Sequence, residues 1–375
     1  MKTLIIVIDS LGCGEAPDSH LYGDQGSNTL LHTVKQTKVN LENLKQLGLF
    51  NIDGLQELNL AVENPLANYA RMQELSKGKD TTTGHFEMMG CVLEKPFPTF
   101  PNGFPKQVTD KLEKAWGTQI LGNCVASGTE IIERLGKLHL ETKKPIVYTS
   151  ADSVLQIACH EEVYSVEKLY KMCEQAREIM QGEYGVSRII ARPFITENGN
   201  FVRTLNRHDF ALKPPCRTVL EDLQENGFDT IGIGKIGDIF AMTGISENLT
   251  AKNNQQGLQQ ILYALKQNYN GVIFANLVDT DMLFGHRNDV NGYANALKEI
   301  DNYIPQIINL LNQDDTLIIT GDHGCDPTTE STDHSREYTP LLIYSKSKNG
   351  GNNLGTIKGF NYIAQLLKQQ FINKN

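Results

Sequence analysis

Carboxylate and imidazole side chains follow three apolar runs of the sequence, at the points where strands would end. Such side chains are the oxygen and nitrogen ligands of divalent metal ions. A single Asp-His pair would also suit a helix cap or a turn, but the same arrangement at three separate positions favours a shared site. The six residues are three aspartates and three histidines: Asp9, Asp281, His286, Asp322, His323 and His334.

The number and type of these side chains suit two metal ions rather than one. Six ligands are more than one catalytic ion with an open position accepts, and two-metal enzymes hold their ions roughly 3.5–4 Å apart. All six offer oxygen or nitrogen, which suits Mn²⁺ or Zn²⁺ better than a metal selected by thiolates. Cys325 lies two residues after His323, but the set is complete without it. The sequence therefore predicts a dinuclear divalent metal site.

A threonine-rich segment offers a nucleophile for such a site. Residues 77–85 read Lys-Gly-Lys-Asp-Thr-Thr-Thr-Gly-His and lead into a predicted helix. Helix capping is the alternative explanation for Thr82 and Thr83, because threonine and aspartate are favoured there. A cation lowers the pKa of a bound hydroxyl as it lowers that of bound water, and a threonine in that position could attack a phosphoryl group. The segment alone does not select which threonine does so.

Basic and hydroxyl side chains in the middle of the chain suit a phosphorylated sugar. Arg192, Arg203 and Arg207 lie close together in sequence, and arginine forks match phosphate oxygens, although solvated surface arginines are equally common. A polar turn at 148–153 adds hydroxyls and a carboxylate. Lys235 ends a Gly-Ile-Gly-Lys sequence that lacks two residues of the phosphate-loop motif, which leaves it as a single phosphate contact.

Apolar runs and amphipathic patterns alternate along the chain. Strands alternating with helices predict a doubly wound α/β core with a largely parallel sheet. In such sheets ligands bind outside the carboxyl ends of the strands, where residues far apart in sequence converge. The predicted strands are 4–8, 145–148, 155–159, 188–191, 230–233, 272–278, 316–319 and 341–344, and the predicted helices include 166–180, 257–266, 291–311 and 360–371.

The candidate metal ligands lie near both ends of the chain and leave a long interval without any. Sequences rich in proline and glycine, at 96–103 and 213–215, bound this interval. A chain of 375 residues also exceeds the size at which single cores stop growing. We predict a metal-binding catalytic core of residues 1–95 and 216–375, with an inserted substrate-binding α/β domain of residues 96–215.

Composition narrows the class of partner. The net charge of −9 argues against a nucleic-acid partner. A phosphorylated substrate stays compatible with it, because bound cations reverse the sign of the local charge.

The N-terminal apolar run is shorter than a signal-peptide core of about 7–15 residues, and the composition disfavours membrane spans, so we expect a cytoplasmic protein. The seven cysteines have no metal-ribbon or CxxC spacing and are expected to be reduced. No feature indicates a partner protein.

Seven motifs, in order and over nearly the whole chain, resemble the bacterial-type phosphopentomutases of the alkaline phosphatase superfamily. Because they cover both the core and the insert, the resemblance is specific. It implies an alkaline-phosphatase-like doubly wound core with an inserted α/β cap domain. The motifs are residues 9–12, 78–85, 126–130, 148–153, 207–209, 276–279 with Gly285-His286, and 333–338.

The resemblance implies interconversion of ribose 1-phosphate and ribose 5-phosphate, and of their 2-deoxy forms, with two Mn²⁺ ions and a sugar bisphosphate as activator. It also implies that Thr81 carries the phosphate, because the phosphothreonine of the family follows a Lys-Asp pair. One ion would be held by Asp281, His286 and His334, and the other by Asp9, Asp322 and His323.

The family mechanism implied for this chain passes through a pentose bisphosphate. Phosphorylated Thr81 would donate its phosphoryl group to a pentose monophosphate, and the bisphosphate would return its other phosphate to the enzyme. The cap would close on the sugar and exclude water, which would otherwise hydrolyse phosphothreonine. The expected substrate contacts are Ser150, Asp152, Arg192 and Arg207, with Lys235 as a further phosphate contact.

Two positions depart from the family pattern, and three other functions compete with it. Phe86 stands where a tryptophan is usual and Cys325 where an asparagine is usual, but neither change removes a predicted ligand. A metal-dependent phosphatase or a phosphoglycerate mutase would share the core and the metal ligands. A silent phosphosugar-binding or metal-storage protein would have no need for a nucleophile such as Thr81. The nucleophile and the matching insert favour the pentomutase.

Overall fold

Buried apolar segments form the central strands of the structure. The computed structural model describes residues 1–150, 152–348 and 350–373. Strand β1 reads Lys-Thr-Leu-Ile-Ile-Val-Ile and is buried at every position, since branched side chains pack well on a pleated surface. The described residues form fourteen strands: β1 (Lys2–Ile8), β2 (Asn68–Gln73), β3 (Leu121–Val125), β4 (Ile146–Thr149), β5 (Val154–His160), β6 (Arg188–Glu197), β7 (Asn200–Arg203), β8 (His208–Ala211), β9 (Asp229–Ile233), β10 (Glu247–Leu249), β11 (Gly271–Leu277), β12 (Thr316–Thr320), β13 (Thr339–Ser345) and β14 (Asn353–Lys358).

Polar caps mark where several helices begin. The side chains of Ser127 and Ser165, for example, accept hydrogen bonds from backbone N–H groups of the first turns that follow them, which satisfies donors that have no partner within the helix. Eleven α-helices occur in the described ranges: α1 (Thr29–Thr37), α2 (Glu42–Leu47), α3 (Thr81–Met88), α4 (Lys106–Trp116), α5 (Gly128–Thr142), α6 (Val166–Ile179), α7 (Val219–Glu225), α8 (Ile236–Ile239), α9 (Asn254–Lys266), α10 (Val290–Leu310) and α11 (Tyr362–Leu367).

The chain divides into unit 1, Met1–Pro96 with Pro214–Asn375, and unit 2, Phe97–Lys213. Unit 1 contains an eight-stranded sheet with the order β10-β9-β11-β1-β12-β13-β2-β14. The first five strands of this order run parallel, whereas β13 is antiparallel to both of its neighbours. Alternate residues of β1, Leu4, Ile6 and Ile8, belong to the same apolar core as α1, α9 and α10. This alternation buries one face of the sheet under helices.

Unit 2 is a smaller α/β body. Its sheet has the order β3-β4-β5-β6-β7, and β8 also pairs with β6. Successive residues of β4 point to opposite faces: Val147 packs in a cluster with α4 and α6, while Ile146 and Tyr148 pack in a second cluster with α5. Helices therefore cover both faces of this sheet.

The predicted α/β class, with a doubly wound core and an α/β insert, is confirmed. The sequence analysis missed β2, β3, β7, β8, β10 and β14, which lie at or beside sheet edges. Partial exposure interrupts their apolar patterns. Of the described helices, none has both the length and the apolar character needed to cross a membrane.

The expectation that all cysteines are reduced is wrong for one pair. Cys91 and Cys216 form a disulfide across a sequence separation of 125 residues. Both belong to unit 1 and lie just outside the segment that forms unit 2. Spacing patterns identify local cysteine pairs, so a pair that only the return of the chain brings together leaves no signal in the sequence. The other five cysteines are free.

Candidate active site

Three adjacent parallel strands end at one edge of the unit 1 sheet. In register, Ile8 of β1 pairs with Leu277 of β11, and Val7 pairs with Thr320 of β12. The residues that follow are therefore brought together. Gly321 is needed there because a Cβ at this position would lie 2.2 Å from the carbonyl oxygen of Leu11.

Asp281, His286 and His334 form the more exposed cluster. Nε2 of His286 lies 3.3 Å from Oδ2 of Asp281, and Nε2 of His334 lies 3.3 Å from Oδ1. The two imidazole Nε2 atoms are 3.2 Å apart. Nδ1 of His286 lies 2.7 Å from the carbonyl oxygen of Thr332 and must donate to it, so Nε2 can present its lone pair to a metal. A π-helical turn, Thr280–Phe284, carries Asp281.

Asp9, Asp281 and His323 form a second, fully buried cluster, in which the ligand atoms lie within 4.8 Å of one another. Nε2 of His323 is 3.4 Å from Oδ1 of Asp9 and 3.4 Å from Oδ2 of Asp322. Backbone N–H groups of Ser10 and His323 donate to Oδ1 of Asp322 at 3.0 and 3.2 Å. The other oxygen of Asp322 therefore faces the cluster. Asp281 belongs to both groups and lies between them.

The buried polar atoms of these clusters suit bound cations. Oδ1 of Asp9, Oδ1 of Asp281 and Oδ2 of Asp322 are buried and accept no hydrogen bond from the described residues. Burial and the neighbouring carboxylates raise the pKa of Asp9, and the hydrogen bond to Asp281 raises the pKa of His286 to about 9. Buried charge is stable only when it is paired or coordinated. The orphaned oxygens and the oxygen and nitrogen donor set fit divalent metal ions.

Thr81 lies directly beside the buried cluster, at the first position of α3. Its Oγ1 is 3.1 Å from Nε2 of His323. Helix α3 approaches closely because a Cβ at Gly84 would lie 2.3 Å from the carbonyl oxygen of Asp322. Thr83 has a different task, since its N–H and hydroxyl both donate to the N-cap Asp80, at 3.1 and 2.6 Å. Of the three threonines, Thr81 is the one whose hydroxyl contacts the cluster.

The predicted substrate contacts are divided between the two units. Ser150, Asp152, Arg192 and Arg207 belong to unit 2, and Lys235 belongs to unit 1. Nε of Arg192 donates to Oε1 of Gln156 at 3.0 Å. Arg207 forms a bidentate pair with Asp209, at 2.9 and 2.7 Å. Lys235 immediately precedes α8.

Two kinds of comparison bear on the family. The model of the Metalloenzyme superfamily matches residues 1–375. The phosphopentomutase of Caldanaerobacter subterraneus is 52% identical over 370 residues, covering 99% of this chain and 94% of its own length. The phosphopentomutase of Acetivibrio thermocellus is 53% identical over 365 residues, covering 97% and 94%. This chain belongs to the phosphopentomutase family.

A solved structure agrees with the fold of this phosphopentomutase family member. The PH0037 protein from Pyrococcus horikoshii aligns with a TM-score of 0.50 at 14% identity, covering 100% of this chain and 97% of that chain. At that identity the likeness shows the fold alone. The family and the two clusters together show a metal-binding enzyme with an alkaline-phosphatase-like core.

Sequence reasoning assigned no role to Arg336, which anchors the loop before Thr81 in this phosphopentomutase family member. The side chain of Arg336 is 1% exposed. Its guanidinium donates to Asp18 at 3.1 Å, to the carbonyl oxygen of Gly78 at 2.7 Å and to Glu74. An arginine two residues after a predicted ligand is a weak signal, because its partners are distant in sequence.

His85 was also missed. Its Nδ1 lies 2.8 Å from the carbonyl oxygen of Thr81 and 3.3 Å from Oδ2 of Asp322. Both neighbours are acceptors, so this nitrogen carries a proton. His85 thereby links α3, the helix that begins with Thr81, to Asp322 at the edge of the unit 1 sheet.

Proposed function

We propose that this enzyme interconverts ribose 1-phosphate and ribose 5-phosphate, and their 2-deoxy forms, through a phosphorylated Thr81 and a pentose bisphosphate. The observation that carries the proposal is the placement of the Thr81 hydroxyl 3.1 Å from His323, beside buried carboxylates that each keep one oxygen without a hydrogen bond from the described residues. A threonine placed beside unneutralised ligands suits phosphoryl transfer, which depends mainly on positioning and on neutralising charge.

Two Mn²⁺ ions are the proposed cofactors, although other divalent ions would also fit oxygen and nitrogen donors. When bound, they would supply charge neutralisation for the phosphoryl group and for the attacking oxygen. Asp281, His286 and His334 would hold one ion. Asp9, Asp322 and His323 would hold the other, and Asp281 lies near enough to both groups to be shared.

Each transfer moves one phosphoryl group. In the first, the bond between phosphorus and Oγ1 of Thr81 breaks, a new bond forms to the free hydroxyl of the pentose monophosphate, and that hydroxyl loses its proton. In the second, the other phosphoryl group of the bisphosphate moves to Oγ1, and the departing sugar oxygen gains a proton. Thr81 is phosphorylated again, so the cycle consumes no co-substrate. A sugar bisphosphate would prime an enzyme that has lost its phosphate.

Substrate recognition is proposed for the residues of unit 2. Ser150 and Asp152 would bind the sugar hydroxyls, while Arg192 and Arg207 would bind the phosphate that is not being transferred, with Lys235 as a further phosphate contact. Guanidinium forks match phosphate oxygens in geometry and charge. Arg207 is paired with Asp209 in this structure, so it would exchange that carboxylate for the phosphate.

Phosphorus NMR tests the proposed reaction. The enzyme is incubated with ribose 1-phosphate, Mn²⁺ and a catalytic amount of glucose 1,6-bisphosphate. Formation of ribose 5-phosphate without free phosphate is the expected result. Release of free phosphate alone would identify a phosphatase, and an unchanged spectrum would support a silent phosphosugar-binding protein.

A further inference from the structure

Ser10 has a backbone conformation that is uncommon for a residue with a side chain. Its φ angle is 67°, in the left-handed region where a Cβ crowds the following carbonyl oxygen. Ser10 is fully buried and directly follows Asp9, one of the predicted metal ligands. Strain of this kind persists only where the surrounding structure fixes the backbone. The residues around Ser10 should therefore hold it in place.

Tyr293, in the first turn of α10, binds Ser10 at two atoms. Its hydroxyl lies 2.9 Å from the carbonyl oxygen of Ser10 and 3.2 Å from Oγ of the same residue. A carbonyl oxygen only accepts, so the single proton of the tyrosine goes to it and the serine hydroxyl donates to the tyrosine oxygen. Both residues are buried, which shields these bonds from solvent. Burial also raises the pKa of Tyr293 well above its ordinary value, so the hydroxyl stays a neutral donor.

Ser10 in turn holds Asp322. The N–H of Ser10 donates to Oδ1 of Asp322 at 3.0 Å, while Oδ2 accepts no hydrogen bond from the described residues. The N–H of Leu11 donates to the carbonyl oxygen of Ile8 at 3.1 Å, which closes a tight turn around Ser10. Because the chain is fixed on both sides, another φ angle at Ser10 would rotate the preceding peptide and turn its N–H away from Asp322.

Two further hydrogen bonds fix Asp9 in the same turn. Nδ2 of Asn276 donates to Oδ2 of Asp9 at 3.0 Å, and Oγ1 of Thr280 donates to its carbonyl oxygen at 2.6 Å. Oδ1 of Asp9 accepts no hydrogen bond within the described ranges. Thr280 and Tyr293 flank, in sequence, two predicted ligands of the more exposed cluster. The segment that carries those ligands therefore also fixes the turn that belongs to the buried cluster.

We propose that Tyr293 is a positioning residue for a divalent cation: by holding Ser10 in its left-handed conformation, it directs the free carboxylate oxygens of the buried cluster at the ion. Tyr293 acts through Ser10 and touches neither the ion nor the substrate. Residues that orient metal ligands contribute about 10–100-fold in metal affinity. The assignment of Asp9 and Asp322 as ligands of Mn²⁺ rests on the proposed function, whereas the hydrogen bonds that fix them do not.

Calorimetric titration of the metal-free full chain with Mn²⁺ tests this role without any turnover. Tyr293→Phe keeps the buried ring and removes only the hydroxyl. We expect this variant to raise the Kd for one of the two Mn²⁺ ions about tenfold, as for other residues that orient a ligand. Tyr303→Phe is the matched control, because it makes the same change in α10 at a tyrosine that packs against the same core. It should bind Mn²⁺ like the parent.

Substitutions of Ser10 separate positioning from packing. Glycine adopts a positive φ without a steric cost, whereas alanine keeps the Cβ and its strain. Both remove the serine hydroxyl. We therefore expect Tyr293→Phe to cost little Mn²⁺ affinity when it is combined with Ser10→Gly. Combined with Ser10→Ala, it should still raise the Kd about tenfold relative to Ser10→Ala alone.

Each outcome decides the proposal. Unchanged Mn²⁺ affinity in Tyr293→Phe would overturn the role. Equal losses of affinity in the Ser10→Gly and Ser10→Ala backgrounds would also overturn it, because the backbone conformation at this position would then make no difference. This comparison remains available where Tyr293→Phe alone fails to fold, since neither double variant leaves a serine hydroxyl unpaired. Recovery with glycine but not with alanine would support the role even if the enzyme gave no ribose 5-phosphate in the NMR experiment, so the two failures are distinguishable.

Discussion

Two regions of the molecule use charge in different ways. The metal-ligand edge of unit 1 carries the six predicted ligands, Asp9, Asp281, His286, Asp322, His323 and His334. The arginine-rich face of unit 2 carries Arg188, Arg192, Arg203 and Arg207. At the edge, aspartates are buried among histidines, and backbone N–H groups fix them in place, as the two donors to Asp322 show. On the face, the Arg207 side chain is 45% exposed and is already paired with a carboxylate. The first region offers buried, unpaired carboxylate oxygens to a cation, whereas the second is solvated without a ligand.

This difference predicts how the two regions respond to substitution. Groups that are buried and fixed before the reaction act on charge as it develops in the transition state. Exposed groups that exchange one partner for another contribute little more than ground-state affinity. Changes at the edge should therefore affect kcat and metal content, while changes on the face should affect KM.

The largest effect is expected for Thr81→Ala. The variant should lose mutase activity by about 10⁴-fold or more, since removing a nucleophile leaves only the contributions of binding and electrostatics. Metal content should stay as in the parent, because the aspartates and histidines are untouched. Steady-state kinetics and elemental analysis check the two expectations.

Thr82→Ala is the matched control, since Thr82 is buried and follows Thr81 in the first turn of α3. It should keep most of the activity. Mutase activity in Thr81→Ala comparable to that of this control would contradict the assignment of the nucleophile.

Asp322→Ala should lose one metal ion. Its Oδ2 lies 3.4 Å from Nε2 of His323, so the substitution removes one of the carboxylates beside this ligand. We expect metal affinity at one site to fall by at least about 100-fold, more than the loss of a residue that only orients a ligand would cause. Elemental analysis after dialysis measures the stoichiometry, with Asp314→Ala, an exposed aspartate, as the control. Full metal content would place Asp322 outside the ligand set.

Arg336→Met tests whether burial at the edge extends to the loop that carries Thr81. The substitution leaves Glu74, which is 3% exposed, without its cation, and breaking a buried pair costs about 3–5 kcal/mol of unfolding free energy. Arg217→Met is the control, since Arg217 forms exposed pairs with Asp222 and Glu225 that are worth about 0–1 kcal/mol. Urea denaturation measures both. Equal losses of unfolding free energy in the two variants would mean that the buried pair of Arg336 stabilises the protein no more than the exposed pairs of Arg217.

The sequence indicated where the candidate ligands would converge because strand ends are visible as apolar runs. Asp9, Asp281 and Asp322 follow such runs, and parallel strands place their ends at one edge of the sheet. Parts of the site that depend on distant partners were not visible. His85 has no sequence pattern that links it to Asp322, and neither has the disulfide of Cys91 and Cys216.

The face of unit 2 was predicted less completely for a similar reason. The clustering of Arg192, Arg203 and Arg207 in sequence was evident, but which of them is already paired with a carboxylate depends on the pairing of β6 with β7 and β8. Tyr148 was predicted both as the end of a strand and as the start of a polar turn, and the structure places it inside β4.

The smallest effect is expected for Arg207→Gln, which tests the comparison from the side of unit 2. Because Arg207 must exchange Asp209 for a phosphate, its net contribution is modest, and we expect KM for ribose 1-phosphate to rise about tenfold with kcat unchanged. Arg188→Gln is the control, since Arg188 approaches the same aspartate at 3.5 Å but is not a predicted contact. A fall in kcat without a change in KM would mean that Arg207 acts on the transition state, and the division between a catalytic edge and a binding face would not hold.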